Sequence, residues 1–208
     1  MLQQRIFLIG ASGVIGRAVH EMLAARQHEV ITGGLQDADL ELDLAKPDSI
    51  RHAFETLQRV DAVISTAGRA AFFPLDAAKA APMADSPYHL GLIDKLMGQV
   101  NLALLARHYL SERGSVTLTS GTTSDDPIIG GSSLSMVNGG LEKWVMAAAT
   151  EFPPGLRLNV VSPSIVIETP APQRAAFPGF EQIPASKVAL AYVRCLESRI
   201  TGQTLRVC

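Results

Sequence analysis

The sequence predicts a doubly wound α/β fold, a single parallel sheet of about seven strands with helices on both faces. Three observations predict it. Short apolar runs that read as strands alternate with segments of helical periodicity along the whole chain. The first of those runs, Ile6-Phe7-Leu8-Ile9, ends in a glycine turn that opens a helix, Gly10-Ala11-Ser12-Gly13-Val14-Ile15-Gly16. The length of 208 residues suits one domain with a complete core, and no linker, internal repeat or low-complexity tract divides it. Residues 1–208 are therefore read as one domain.

The elements follow in order. After the glycine turn, Val14, Ala18, Val19, Met22 and Leu23 recur at helical spacing, which predicts a helix over residues 14–26. Glu29 to Thr32 is a second short strand. Asp39-Leu40-Glu41-Leu42-Asp43-Leu44 alternates polar and apolar at period two and predicts a third, partly exposed strand. Pro47 starts a helix to Leu57, with Asp48 favourable to the dipole in its first turn. Asp61 to Ser65 is a strand closing on Thr66-Ala67-Gly68. A long helix is expected over 89–110, with Leu92, Leu96, Val100, Leu104 and Leu105 on one broad face. Ser115 to Ser120 is a strand, Leu134 to Glu151 a helix, and Leu156 to Val161 a strand leading into Ser162-Pro163-Ser164. A loop rich in proline and phenylalanine, 169–184, precedes a helix at 186–197 and a last strand at 204–207.

The glycine turn is where chemistry enters. Gly10 leaves the strand in a turn that a side chain would block, Gly13 lets a pyrophosphate approach the backbone, and Gly16 lets helix and strand pack closely. Free N–H groups at the helix start then face the phosphates. This is the cradle of a Rossmann-type dinucleotide site, and Gly10, Ser12, Gly13, Ile15, Gly16 and Arg17 are its candidate cofactor contacts. In open parallel sheets the ligand lies beyond the carboxyl ends of the strands. Ala67-Gly68, Ser120-Gly121 and Pro163-Ser164 all follow strands and are expected to converge on that crevice.

Composition excludes other classes. A net charge of −2 gives no electrostatic case for nucleic acid or an anionic membrane surface. No run approaches the roughly 20 apolar residues of a membrane span, and no leader is evident before the first strand. The two cysteines, Cys195 and Cys208, form neither a disulfide framework nor a metal spacing, and a reducing cytoplasm is the expected setting. The five histidines are scattered, so no metal is expected.

Several motifs in order resemble the short-chain dehydrogenase/reductase family along nearly the whole chain. Gly10, Gly13 and Gly16 match the family's cofactor turn in a G-x-x-G-x-x-G variant. Asp43-Leu44 resembles the acidic-apolar pair that touches adenine, and Thr66-Ala67-Gly68 the N-A-G that lines the cofactor. Asn101, within Gln99-Val100-Asn101-Leu102, matches the helix asparagine of the catalytic tetrad. Asn159 to Pro163 resembles the segment near the nicotinamide, which adds Pro163, Ser164 and Ile165 as cofactor contacts, and Thr169 matches a threonine further on. Thr201-Gly202-Gln203-Thr204 resembles the closing turn and strand.

The resemblance fails at the family's Y-x-x-x-K, whose tyrosine acts as general acid or base and whose lysine holds the nicotinamide ribose. Asn138-Gly139-Gly140-Leu141-Glu142 is similar to the family's K-A-A-L-E and puts Asn138 at the lysine and Leu134 at the tyrosine. The family's serine position falls on Gly121, directly after Ser120. The chain resembles an atypical branch with a non-standard active site, for which Asn101 and Ser120 are the catalytic candidates. Ser120, Thr122, Thr123 and Ser135 offer hydroxyls, although an unactivated hydroxyl is a poor base. Asp125 and Asp126 are either acids raised by burial or solvated turn carboxylates. His89 is an acid or simply opens a helix.

Cofactor choice turns on the end of the second strand, where a carboxylate would bind a ribose hydroxyl and repel a 2′-phosphate. That position is Gly34, and Arg17 lies within reach, so NADP(H) is favoured over NAD(H), with Asp37 as the residue that keeps NAD(H) open. The resemblance implies a homodimer or homotetramer built on the helices at 89–110 and 134–151. Phe177 and Phe180, in the loop that closes over substrate in the family, imply a mainly apolar small-molecule substrate. The expected function is an NAD(P)(H)-dependent oxidoreductase acting on a carbonyl or alcohol. The alternative is an inactive NAD(P)-binding sensor or interaction protein of the same fold.

Overall fold

A computed structural model describes residues 3–208. Seven strands form one sheet: β1 (Arg5–Ile9), β2 (Glu29–Gly34), β3 (Leu40–Glu41), β4 (Val60–Ser65), β5 (Leu110–Thr119), β6 (Arg157–Pro163) and β7 (Thr204–Val207). Their order is β3-β2-β1-β4-β5-β6-β7, and each neighbouring pair runs parallel. Both faces are covered, which is why the central strands are buried at nearly every position rather than at alternate ones. In β1, Ile6, Phe7, Leu8 and Ile9 are all buried, and the pleat sends them to two different cores. Phe7 and Ile9 pack with α2 (Pro47–Leu57), α3 (Met97–Ala106) and α4 (Ser132–Ala148). Ile6 and Leu8 pack with α1 (Val14–Ala25) and α6 (Ala185–Glu197).

Three expectations about elements need correction. The strand expected at 39–44 is only two residues long, because Asp43 turns the chain out of the sheet. Its Oδ1 accepts from the Ala45 backbone N–H at 3.0 Å, its own N–H donates to Ser49 Oγ at 3.0 Å, and Leu42 and Leu44 drop into the core. The helix expected over 89–110 is not uniform. It opens with a π-helical stretch, Gly91–Leu96, before α3, and its expected last residue, Leu110, already belongs to β5. The start of β5 was hidden by the polar Ser111-Glu112-Arg113-Gly114, where Arg113 takes a positive φ of 65° and the pairing with β4 shifts register. The loop at 169–184 holds one short helix, α5 (Ala171–Arg174), and is closed by a bridge between Val166 and Ile183.

The sheet order reverses between β1 and β4, so a crevice opens beyond their carboxyl ends. No helix among the described residues is long and apolar enough to cross a membrane.

Candidate active site

The turn after β1 is built for close approach. Gly10 has φ +86°, and a Cβ there would lie 2.9 Å from the Ala67 Cβ. A Cβ on Gly16 would lie 2.0 Å from the Gly10 carbonyl oxygen, so α1 can start against the strand only with glycine at this position. The helix has no side-chain N-cap and no acidic residue in its first turn, which leaves its N–H groups open to an anion. In front of it lies a crevice of about 430 Å³ lined by Gly10, Ser12, Gly34, Asp43, Leu44, Ala67 and Gly68. Seven of the expected cofactor residues are thus brought together, and Gly13, Ile15 and Gly16 stand directly behind them in the turn and first helical residues. Arg17 folds back and donates to the Ser12 carbonyl oxygen at 2.7 Å. A cradle that a Cβ would fill, with an open helix start behind it, fits a dinucleotide pyrophosphate.

Asp37 lines the same crevice, whereas the nearby Asp39 is committed elsewhere. The Thr32 backbone N–H and hydroxyl both donate to it at 2.8 Å and hold its carboxyl below the usual range. Asp37 is the carboxylate left at the ribose end. Arg69 and Asp94 also line the crevice, joined by a bidentate ion pair of 2.7 and 3.0 Å, and the Arg69 backbone N–H donates to Asp94 as well.

Of the residues expected near the nicotinamide, Pro163 ends β6 and Ser164 and Ile165 follow it. The Ser164 N–H donates to the Val207 carbonyl, and its hydroxyl to the Glu181 carbonyl at 3.2 Å. Ile165 and Thr169 line a second, apolar cavity of about 730 Å³ together with Phe72, Phe73, Ile129 and Phe177. The segment 67–74 borders both cavities, from Gly68 in the first to Pro74 in the second.

Just past the end of β5 lies a buried polar corner. Ser120 is buried, and its hydroxyl donates to Glu142 Oε1 at 2.7 Å. The hydroxyls of Ser124 and Ser162 donate to the same oxygen at 2.9 and 3.0 Å, and Arg206 pairs with the other carboxylate oxygen at 3.2 Å. The Ser120 proton is therefore committed to Glu142, and its oxygen is left as an acceptor. Asp125 is ion-paired with Arg206 on the surface, and Asp126 is exposed. Asn101 is not brought to this corner. Gln99 turns into β5, and a residue two positions later on an α-helix lies about 200° around the axis. Asn101 accordingly shares the outer side of α3 with the exposed Met97 and Leu104.

At the two positions where the resemblance lost its motif, α4 carries Leu134, half-buried, and Asn138, fully buried. Asn138 Nδ2 donates to Thr123 Oγ1 at 2.9 Å, while its Oδ1 finds no partner among the described residues. His89 Nδ1, Ser133 Oγ and Ser135 Oγ are likewise buried without partners. Tyr88 sets its hydroxyl 3.2 Å from Ser132 Oγ and its ring edge-on to Phe73 of the apolar cavity.

Sequence reasoning missed one side chain at the centre of the corner. Lys95, in the π-helical stretch, is buried, and its Nζ approaches the Ser120 carbonyl oxygen at 3.4 Å. Its stem crosses Gly68, where a Cβ would lie 2.9 Å from the Lys95 Cγ. Burial pushes the Lys95 ammonium down to about 8, against a smaller opposing effect of Asp94. The available signal was Asp94-Lys95 itself, a charged pair set between Leu92 and Leu96 on an otherwise apolar stripe. Among the described residues no His, Cys, Asp and Glu cluster is arranged to hold a metal.

A doubly wound parallel sheet with a glycine cradle at its switch point defines an α/β protein of the Rossmann type. The model of the family described as Enoyl-(Acyl carrier protein) reductase matches residues 10–206, and the chain belongs to the short-chain dehydrogenase/reductase family. The protein lin1944 from Listeria innocua is similar in structure with a TM-score of 0.92 and 39% identity, over 98% of this chain and 99% of that one. A small-chain dehydrogenase in complex with NADPH has a TM-score of 0.84 and 24% identity, over 99% and 97%. A 3-hydroxyacyl-CoA dehydrogenase type-2 from Mycobacterium avium has a TM-score of 0.81 and 20% identity, over 98% and 93%. No curated protein matches the chain.

Proposed function

We propose that the chain is an NAD(P)(H)-dependent oxidoreductase that interconverts an apolar carbonyl compound and its alcohol through a non-standard active site. The observation that carries this reading is a pair of cavities lined by successive parts of one segment, 67–69 in the first and 72–74 in the second. One is a glycine-lined crevice that fits a dinucleotide, the other an apolar space of about 730 Å³, and segment 67–74 borders both. The bound nicotinamide would supply or accept the hydride. The open N–H groups of α1 and Ser12 would hold the pyrophosphate, Asp43 and Leu44 would hold the adenine end, and Gly68 would stand at the second ribose. Ser120, its proton given to Glu142, meets an alcohol as hydrogen-bond acceptor. Phe72, Phe73, Ile129 and Phe177 receive the apolar part of the substrate.

NADP(H) is the preferred cofactor, since the strand end at Gly34 offers no carboxylate and Arg17 sits over the turn beside it. Asp37 works against this preference. A homodimer or homotetramer through α3 and α4 fits the exposed Met97, Leu104, Met136 and Met146, and a reducing cytoplasm fits the unpaired Cys195 and Cys208. The second reading, a cofactor-binding protein without turnover, is favoured by Leu134 and Asn138 standing where the family has tyrosine and lysine.

The test is calorimetric titration with NADPH and NADH, followed by a panel of apolar aldehydes and ketones read by cofactor absorbance. Micromolar binding with turnover on long-chain or aromatic carbonyls supports the enzyme. Tight binding with no cofactor consumption supports the silent binding protein. Asp37→Asn is expected to tighten NADPH by about tenfold, because the 2′-phosphate loses a repelling charge, and to weaken NADH by about threefold or more, because the ribose hydroxyl loses its carboxylate acceptor.

A further inference from the structure

The family's usual lysine position is Asn138, yet a lysine still reaches the strand ends from a different element. We infer that Lys95, presented by the π-helical stretch before α3, is the residue that holds the second ribose of the bound dinucleotide. This rests on the dinucleotide reading above and extends it to the half of the cofactor that reacts.

Four observations place Lys95 there. Its stem runs across Gly68, which lines the dinucleotide crevice and adopts φ +139°. Among the described residues its ammonium has one hydrogen-bond partner, the Ser120 carbonyl at 3.4 Å, although an ammonium carries three donors. Asp94, the adjacent carboxylate, is occupied by Arg69 through three hydrogen bonds and acts on the ammonium only as a neighbouring charge. The helix is braced so that Lys95 stays in place. Gln99 Nε2 donates to the Lys95 carbonyl at 3.0 Å and to the Thr119 carbonyl at 2.9 Å, and the Thr119 N–H donates to Gln99 Oε1 at 2.8 Å.

A buried cation with unused donors is costly unless something supplies acceptors. The position specifies what that is. Adenine and its ribose belong over β2 and β3, where Gly34, Asp43 and Leu44 line the crevice, and the pyrophosphate belongs on the turn after β1. Strands lie about 4.8 Å apart, so the remaining half of an extended dinucleotide falls over the ends of β4 and β5, between Gly68 and Ser120. The vicinal hydroxyls of its ribose are the acceptors within reach of that ammonium.

Lys95→Met tests this in the full-length protein. The probes are whichever of NADPH or NADH the wild type binds more tightly, and ADP, which lacks the second ribose. Lys95→Met is expected to weaken the dinucleotide about 10- to 100-fold and to leave ADP within about twofold. Its melting temperature at pH 7 should be equal to or above that of the wild type, because a buried charge is replaced by an apolar side chain of similar length. Lys95→Arg should recover part of the dinucleotide affinity. Dinucleotide affinity that survives Lys95→Met within about twofold, or losses shared equally by ADP, would overturn the assignment. A lowered melting temperature would instead mark Lys95 as structural, and that too would overturn it. Failure of the wild type to bind either dinucleotide would overturn the oxidoreductase reading itself.

Discussion

Ser120 and Lys95 show how much a single residue's role depends on its neighbours. From sequence Ser120 is a hydroxyl at a strand end, and only the structure shows that its proton is directed to Glu142, shared with Ser124 and Ser162. The glycines of the cradle were legible because their constraint is local: at Gly16 a Cβ would strike the Gly10 carbonyl six residues earlier. Lys95 was not legible, because its burial arises from Gly68 and Ser120, at 27 and 25 residues' remove. A pH dependence belongs at this scale. The Lys95 pKa falls from 10.5 to about 8 on folding. Below pH 8 both folded and unfolded chains carry the proton, and burial of the charge costs on the order of 3 kcal/mol. Between pH 8 and 10.5 the folded protein has released the proton while the unfolded chain retains it, so stability rises with pH. Thermal unfolding from pH 7 to pH 10 should therefore show a rise in the wild type that is smaller in Lys95→Met.

Elements were legible where periodicity is strong and hidden where a side chain overrides it. The helix from Pro47 to Leu57 and the last strand at 204–207 stand where apolar spacing puts them. The third strand shrank because the alternation of 39–44 cannot reveal that Asp43 caps the following turn. The π-helical stretch has no composition of its own. It is held by Gln99, whose amide joins the Lys95 carbonyl to both backbone groups of Thr119. Gln99→Leu keeps the volume but strands those groups in a dry interior. It should lower stability by on the order of 3 kcal/mol in urea unfolding and weaken dinucleotide binding together with it.

At the scale of the whole molecule, strand and helix alternation was enough to foretell a parallel sheet covered on both faces, and the seven-stranded order confirms it. Sequence could not foretell that segment 67–74 lines one cavity with its first residues and the other with its last, since it has no repeating pattern to read. On the outer surface, Met97 and Leu104 on α3 and Met136 and Met146 on α4 leave apolar side chains exposed. Light scattering should find a dimer or tetramer for the wild type, and a smaller species for Leu104→Glu combined with Met136→Glu. An unchanged mass in that double variant would move the interface elsewhere.

A π-helical turn carries more residues per turn than the α-helix around it, so Gly91–Leu96 marks a place where the chain tolerates an extra residue. Loss of a single codon, that of Ile93, is the natural reverse step. The helix would close into a regular α-helix with the turns on either side kept in phase, and the widened turn that presents Lys95 would be lost. Such a deletion would leave the fold intact while undoing the site, which makes residue count here, rather than residue identity alone, a determinant of what the protein can do.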